Sequence, residues 1–169
     1  MFSLFSKKPK FSVKIKDYSS ELIACGLWTE VGRKTVQKDV ASVQQRFQSL
    51  RPQIDSPSNP SGTIVISRPA NPNGSFSYFI GDLTDNAEQK SDFAVERLKC
   101  GKYAHITVDF KDSSQLTLAV AKAKRYFFTK WLPESDYIVC KEIESIELYD
   151  RRSNIAFASM ELIFPLISK

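Results

Sequence analysis

The sequence is poor in the residues that form most metal and catalytic sites. It has one histidine, His105, and three cysteines, Cys25, Cys100 and Cys140, which lie far apart and form no CxxC pair. Metal sites and disulfide frameworks require clustered ligands or paired cysteines, so we expect no metal, no cofactor and no disulfide. Each cysteine lies in or beside a strand-like run, and we expect all three to be buried thiols in a reducing cytoplasm.

The sequence also lacks long apolar runs. No run has the length of a transmembrane helix, and the start, MFSLFSKKPK, lacks the apolar core of a secretion signal. We therefore expect a cytoplasmic protein without a membrane span, in which residues 1–10 form a flexible basic lead-in. The alternative for this segment is a weak membrane-touching tip, since Phe2, Leu4 and Phe5 precede three lysines.

A concentrated patch of positive charge is missing as well. The formal net charge is +5, from 24 lysines and arginines against 19 aspartates and glutamates, and these residues are spread along the chain. Dispersed charge favours solubility more than nucleic-acid binding, and the sequence has no base-reading motif. We therefore expect no specific DNA binding. A chain of 169 residues suits one compact domain with its own apolar core.

Two amphipathic helices are indicated by apolar residues that recur at intervals of three and four. The positions are Val36, Val40, Val43, Phe47 and Leu50 in the first segment, and Leu116, Val120, Ala123, Phe127 and Trp131 in the second. Each pattern gives one apolar stripe, which is typical of a helix that covers a sheet. Asp112, followed by two serines, predicts the start of the second helix, and Pro133 predicts its end.

Strand-like runs surround both helices in the same order. KFSVKIKDYSSELIACGLWTE precedes the first helix, and GTIVISR and SFSYFIGDL follow it; KYAHITVDF precedes the second, and KEIESIELYD and SMELIFPLI follow it. This order predicts an α+β domain over residues 11–169, built from two βαββ repeats at about 11–84 and 95–169. We expect both helices on one side of a shared sheet. No strand is marked by its sequence as one that pairs with a second copy of the chain.

The run KEIESIELYD alternates apolar and polar residues. We expect its apolar side, Ile146 and Leu148, to face the helices. The opposite face then collects polar and aromatic side chains from this run and from KYAHITVDF, namely Glu147, Tyr149, Tyr103 and His105. Aromatic rings beside an acid favour a cleft, whereas the alternation alone more often indicates a solvated outer face.

Five segments together resemble the GyrI-like effector-binding domain, which is also fused to the DNA-binding parts of AraC-type and MerR-type multidrug transcription regulators. In order they are FSYFIGD, LKCGKYAHI, FFTKWLPESDY, IELYD and MELIFPLI. The resemblance implies a pseudo-two-fold axis between the repeats and a groove between the two lobes for aromatic or cationic small molecules. The chain has no helix-turn-helix segment, so we expect the effector-binding domain to stand alone, with a separate transcription regulator as a candidate partner.

The resemblance also implies particular site residues. The family's glutamate in the penultimate strand falls on Glu147, followed by Tyr149; Tyr103 matches the tyrosine after Gly-Lys, and Trp131 the tryptophan before Leu-Pro. A carboxylate among aromatic rings favours a bound cation or a raised pKa, and ring faces attract cations too. A neutral aromatic amide or alcohol bound to the protonated acid is the alternative.

Three further ligand-binding candidates each have a structural alternative. His105 is either a groove wall or a hydrogen-bonded strand histidine, and Trp28, like Trp131, lies either at the groove edge or in the core. Tyr78 shares a strand face with Phe76, but alternation does not show which face that is.

The preferred functional hypothesis is a binding protein that senses or sequesters aromatic, amphipathic or cationic compounds around Glu147. Two alternatives from other classes stay open. One is a hydrolase of reactive electrophilic natural products, as some GyrI-like proteins are, with Glu147 as general acid or base. The other is a protein-interaction module that resembles the family's gyrase inhibitor.

Overall fold

A computed structural model describes residues 11–58, 62–154 and 158–169, so the predicted lead-in at residues 1–10 lies outside the described residues. The elements, in chain order, are β1 (Val13–Tyr18), β2 (Leu22–Val31), α1 (Val36–Leu50), β3 (Thr63–Ser67), β4 (Phe76–Thr84), β5 (Ala94–Leu98), β6 (Gly101–Phe110), α2 (Ser113–Tyr126), α3 (Leu132–Glu134), β7 (Tyr137–Val139), β8 (Ser145–Tyr149) and β9 (Ala158–Ser168). Short 3-10 turns follow α1 and β8. Within these ranges, no helix is both long and apolar enough to span a membrane.

The strands form one antiparallel sheet with internal symmetry. Its order is β1-β6-β9-β8-β3-β4-β2-β5, and β7 pairs with the end of β9. From the central pair of β8 and β3, the sheet reads β8-β9-β6 in one direction and β3-β4-β2 in the other. This order confirms the predicted α+β fold of two βαββ repeats, β2-α1-β3-β4 and β6-α2-β8-β9, related by a pseudo-two-fold axis.

The two repeats exchange their leading strands. β1 precedes the first repeat but pairs with β6 of the second, and β5 precedes the second repeat but pairs with β2 of the first. Each leading strand therefore forms the outer edge of the other repeat. The sequence did not indicate β5 or β7, because AVERL and YIV are short and show no clear alternation.

Both predicted helices are present, and the second ends in an unusual turn. The Asp112 carboxylate accepts a hydrogen bond from the Ser114 amide at 2.9 Å, which confirms the predicted start. After Tyr126 the helix widens into one π turn, Phe127–Trp131, before α3. In this turn, the ring centroids of Phe127 and Phe128 lie 4.1 and 5.3 Å, respectively, from the ring centroid of Phe164.

Apolar residues are buried on both faces of the sheet. On the helix face, α1 packs through Val43 and Phe47, and α2 packs through Val120 and Ala123. From β6, Ala104, Ile106 and Val108 face α2. The far face buries a second cluster, consisting of Ala24, Ile64, Ile66, Phe79, Leu98, Tyr103, Ile146 and Ile163.

The predicted orientation of β8 is wrong. Ile146 pairs with Ile66 and Ile163 in the far-face cluster, whereas Glu147 lies between Val65 and Leu162 on the helix face. The prediction assumed that only the face under the helices is apolar. The far face also carries an apolar cluster of its own, against which partly buried side chains such as Leu22, Leu83 and Ile143 pack, so many of its strand residues are apolar as well.

Candidate functional site

A groove of about 840 Å³ lies between α1 and α2, above the central strands β3, β4 and β8. Its floor is formed by Val65, Tyr78, Ile80 and Tyr149. The β8 and β3 strands pair at the pseudo-two-fold axis, so the groove lies where the two repeats meet. Pockets of this volume accommodate drug-sized molecules.

Two phenols of the groove floor, Tyr78 and Tyr149, lie beside an acid, Glu147, which is not itself among the residues that line the groove. Glu147 and Tyr149 are both half-buried on the same side of β8, and the Tyr149 hydroxyl donates to Glu147 Oε2 at 2.5 Å. Burial, followed by the charge of Glu147, raises the pKa of Tyr78 to about 12. The same two causes, with the hydrogen bond to Glu147, raise the pKa of Tyr149 further. Both phenols therefore stay protonated at neutral pH, and the hydroxyl of Tyr149 donates to the carboxylate.

One end of the groove carries an arginine held by a buried aspartate. Arg51 Nε donates to Asp82 Oδ2 at 2.5 Å, and Arg51 Nη2 donates to Thr63 Oγ1 at 3.2 Å. Thr63 Oγ1 in turn donates to Asp82 Oδ1 at 2.8 Å. The Asp82 side chain is only 7% exposed, and that of Arg51 is 37% exposed. Asp82 and Thr63 therefore hold the guanidinium on its buried side, and its other side is open towards the groove.

Arg51 and Asp82 were not identified from the sequence. The one available signal was an aspartate inside the apolar run FSYFIGDL, because a buried carboxylate requires a partner. The partner itself was not identifiable, since it lies 31 residues away at the end of α1.

His105 and Tyr103 lie on the far face of the sheet. The Tyr18 hydroxyl and His105 Nε2 share a hydrogen bond of 2.6 Å, and burial raises the pKa of Tyr18 to about 12. On the other side of the imidazole ring, His105 Nδ1 lies 3.4 Å from Glu161 Oε2. The Tyr103 ring stacks on Tyr18 at 4.6 Å. The expectation that Tyr103 and His105 share a face with Glu147 is therefore wrong, because β8 faces the other way.

Glu161 is the charged centre of this far-face network. Thr107 Oγ1 donates to it at 2.7 Å, and Arg152 Nη1 lies 3.2 Å away. Burial alone would raise the pKa of the Glu161 carboxyl, but the donors around it, His105, Thr107 and Arg152, lower the pKa to about 2. Such a network stabilises the fold and does not reach the groove floor.

The two tryptophans are also held outside the groove floor. Trp28 lies on the far face, where its Nε1 donates to Glu96 Oε1 at 2.7 Å and the Arg68 guanidinium lies 4.5 Å from its ring. Trp131 packs in the core under α2, and its ring stacks on Phe127 at 5.3 Å. Of the seven candidate residues, the structure thus gathers Glu147, Tyr149 and Tyr78.

The cysteines differ from the expectation of three buried thiols. Cys25 is buried, Cys140 is half-buried, and Cys100 is exposed. Cys100 lies on the turn from β5 to β6, which Gly101 makes with a φ of 137°. Residues of turns lie at the surface, so the position of Cys100 beside a strand did not bury its side chain.

No family model matches the sequence, and no curated protein matches it. Among solved structures, the chain is similar to SAV2435 bound to tetraphenylphosphonium, with a TM-score of 0.70 and 16% identity over 92% of this chain and 94% of that chain. It is also similar to the EcmrR C-terminal domain, with a TM-score of 0.63 and 12% identity over 95% of this chain and 99% of that chain. A Staphylococcus aureus MU50 protein named as a bacterial transcription regulation protein matches with a TM-score of 0.65 and 16% identity over 93% and 97%. These likenesses show that the chain shares the fold of these three proteins.

Proposed function

We propose that the chain is a cytoplasmic small-molecule binding protein that senses or sequesters aromatic, amphipathic or cationic compounds in the groove between α1 and α2. One observation supports the proposal: Tyr149 and Tyr78 line the groove, and Glu147 lies beside them, hydrogen-bonded to Tyr149. In this proposal Glu147 is the central acid, and the two tyrosines supply ring faces and hydroxyl donors.

The chemistry of the floor favours a cation. A half-buried carboxylate is costly to keep charged unless a partner compensates, and here the compensation from the protein is the neutral Tyr149 hydroxyl. A ligand cation would add a full charge, and each aromatic face would contribute roughly 0.5 to 2 kcal/mol more. The ligand of SAV2435, tetraphenylphosphonium, has this character.

The likeness to a protein named for transcription regulation supports a regulatory use of such binding. We include a separate transcription regulator in the proposal as the partner that responds to the loaded domain. A ligand that prefers one of two domain conformations shifts their populations, which is the form such a signal would take.

A titration with tetraphenylphosphonium and with neutral triphenylphosphine oxide tests the proposal. We expect the cation to raise the melting temperature of the native protein in a saturable way, because a ligand that binds only the folded state stabilises it. The rise should be lost in Glu147→Gln and kept in Glu144→Gln, a matched control that removes an exposed charge from the same segment. An equal rise in melting temperature in the native protein, Glu147→Gln and Glu144→Gln, or no rise in any of the three, would contradict the proposal.

A hydrolase is the second candidate, because the Glu147 carboxylate and the protonated Tyr149 form an adjacent base and acid. Catalytic turnover of an electrophilic aromatic substrate, abolished in Glu147→Gln, would support this alternative. A stoichiometric reaction that stops after one equivalent would exclude it.

A further inference from the structure

The Arg51 end of the groove carries chemistry that a simple lipophilic cation does not use. Arg51 lines the groove and is oriented by two contacts, to Asp82 and to Thr63. A guanidinium has five N–H donors, and these contacts occupy only part of them. An arginine fixed in this way is suited to bind a planar anion, since its side chain is already ordered before the ligand arrives.

The walls near Arg51 are also polar. From α1, Gln44 and Gln48 line the groove one helical turn apart. The exposed Arg151 lines the opposite wall. Next to Arg151, the Asp150 carboxylate forms an ion pair with Arg152, whose Nε lies 3.0 and 3.1 Å from the two carboxylate oxygens. Both acids at this end are therefore paired, Asp82 with Arg51 and Asp150 with Arg152, and the N–H donors of Arg51 that these contacts leave unused, together with Arg151, face an anionic group.

The strand register places Glu147 and the Arg51 end of the groove a short distance apart. Glu147 is opposite Val65, and Tyr149 is opposite Thr63, the residue that Arg51 contacts. Two residues along a strand span roughly 7 Å, so the acid and the arginine can be reached by one aromatic molecule with two polar ends.

We propose that the groove binds zwitterionic aromatic compounds, with the cationic or hydrogen-bond-donating end over Glu147 and a carboxylate or similar planar anion at Arg51. This inference rests on the proposed function and narrows its ligand class. It assigns to Arg51 the selection of the anionic end, which complements the role of Glu147 at the other end. The amides of Gln44 and Gln48 supply neutral hydrogen-bonding groups along the ligand's length.

Rhodamine B and its ethyl ester form a matched pair of probes, because they share the cationic ring system and differ in one carboxylate. Fluorescence anisotropy gives both dissociation constants for the native protein. We expect rhodamine B to bind about tenfold more tightly than the ester, the change expected for one charged hydrogen-bonded contact. The ratio of the two constants is the quantity compared between variants.

Removing Arg51 alone would leave the buried Asp82 unpaired, so the test variant is the double substitution Arg51→Gln/Asp82→Asn, which keeps a neutral hydrogen-bonding pair. We expect its ratio to fall to about one. Arg97→Gln, which removes an exposed charge from the edge strand β5, should keep the native ratio.

Two results would overturn the inference: equal affinities of the two dyes for the native protein, or a preference for rhodamine B that survives in the double variant. If both dyes bind equally and both are lost in Glu147→Gln, the proposed function stands and only the zwitterion selectivity fails. If neither dye nor tetraphenylphosphonium binds, the proposed function fails as well.

Discussion

Tyr149 donates its hydroxyl hydrogen to Oε2 of Glu147, two residues earlier on the same strand, over 2.5 Å. Alternate residues of a strand point to the same side, so the E-x-Y spacing itself brings the two groups together. The contact stabilises the carboxylate and at the same time covers one of its oxygens. A ligand that binds Glu147 therefore either shares the acid with Tyr149 or displaces its hydroxyl.

Substitution Tyr149→Phe should separate these two effects of the hydroxyl. We expect the free energy of unfolding to fall by about 1 to 2 kcal/mol, because a hydrogen bond to a half-buried carboxylate is lost. We expect tetraphenylphosphonium to bind severalfold more tightly, because the carboxylate no longer has a competing donor. Urea denaturation and calorimetric titration measure the two quantities. Tyr126→Phe, on α2, should change neither, and weaker binding in Tyr149→Phe would show that Tyr149 assists the ligand instead of competing with it.

Arg51 and Asp82 should be modestly coupled in stability. Arg51→Gln leaves a buried carboxylate without its ionic partner, and we expect a loss of about 2 to 3 kcal/mol. The double variant Arg51→Gln/Asp82→Asn should lose less than the sum of the single substitutions. Because the Arg51 side chain is 37% exposed, we expect a coupling energy of only about 1 kcal/mol in a double-mutant cycle from urea denaturation. Additive single effects would show that the pair does not hold the groove end.

The thiols should react in the order of their exposure. Cys100 is exposed and should be alkylated by iodoacetamide first, and the half-buried Cys140 should follow more slowly. Cys25 is buried, and burial, followed by the charge of Asp82, raises the pKa of its thiol to about 11, so it should react only after denaturation. Mass spectrometry of the native and urea-denatured protein gives the order. Labelling of Cys25 in the native state would contradict the packing of β2.

The regular parts of the fold followed from the sequence, because their patterns are long. The helices around Phe47 and Val120 and the longer strands each had a clear period, and the repeated order gave the sheet its two halves. The exchange of β1 and β5 did not follow, since short edge strands carry little pattern. Local alternation indicates which residues share a face, but it does not indicate which face lies under the helices.

The candidate site, like the fold, was predictable from the sequence only where local spacing determines it. Glu147 and Tyr149 are neighbours within one strand, and their pairing follows from local spacing. The place of Tyr78 beside them depends on the pairing of β3 with both β4 and β8, which a single strand does not reveal. The orientation error arose because Ile146 is buried without a helix above it. Contacts that join distant segments, such as Arg51 with Asp82, therefore require the three-dimensional structure.

The far-face network around Glu161 predicts a specific dependence of stability on pH. The folded protein holds the pKa of this carboxyl at about 2, below its ordinary value of 4.5. A depressed pKa contributes stability that is complete above pH 4.5 and is lost as the pH falls towards 2. The shift corresponds to about 3 kcal/mol at neutral pH, since the Glu161 side chain is only 8% exposed.

Comparison of the native protein with Glu161→Gln tests this dependence. We expect the difference in the free energy of unfolding, measured in urea, to be largest at pH 7 and to shrink steadily between pH 4.5 and 2, because the native carboxyl becomes protonated over that range while glutamine does not titrate. The exposed Glu134 serves as the control, and Glu134→Gln should change the free energy little at any pH. A difference between the native protein and Glu161→Gln that is constant from pH 7 to pH 3 would mean that packing, and not the charge shared with Arg152 and His105, is what Glu161 contributes.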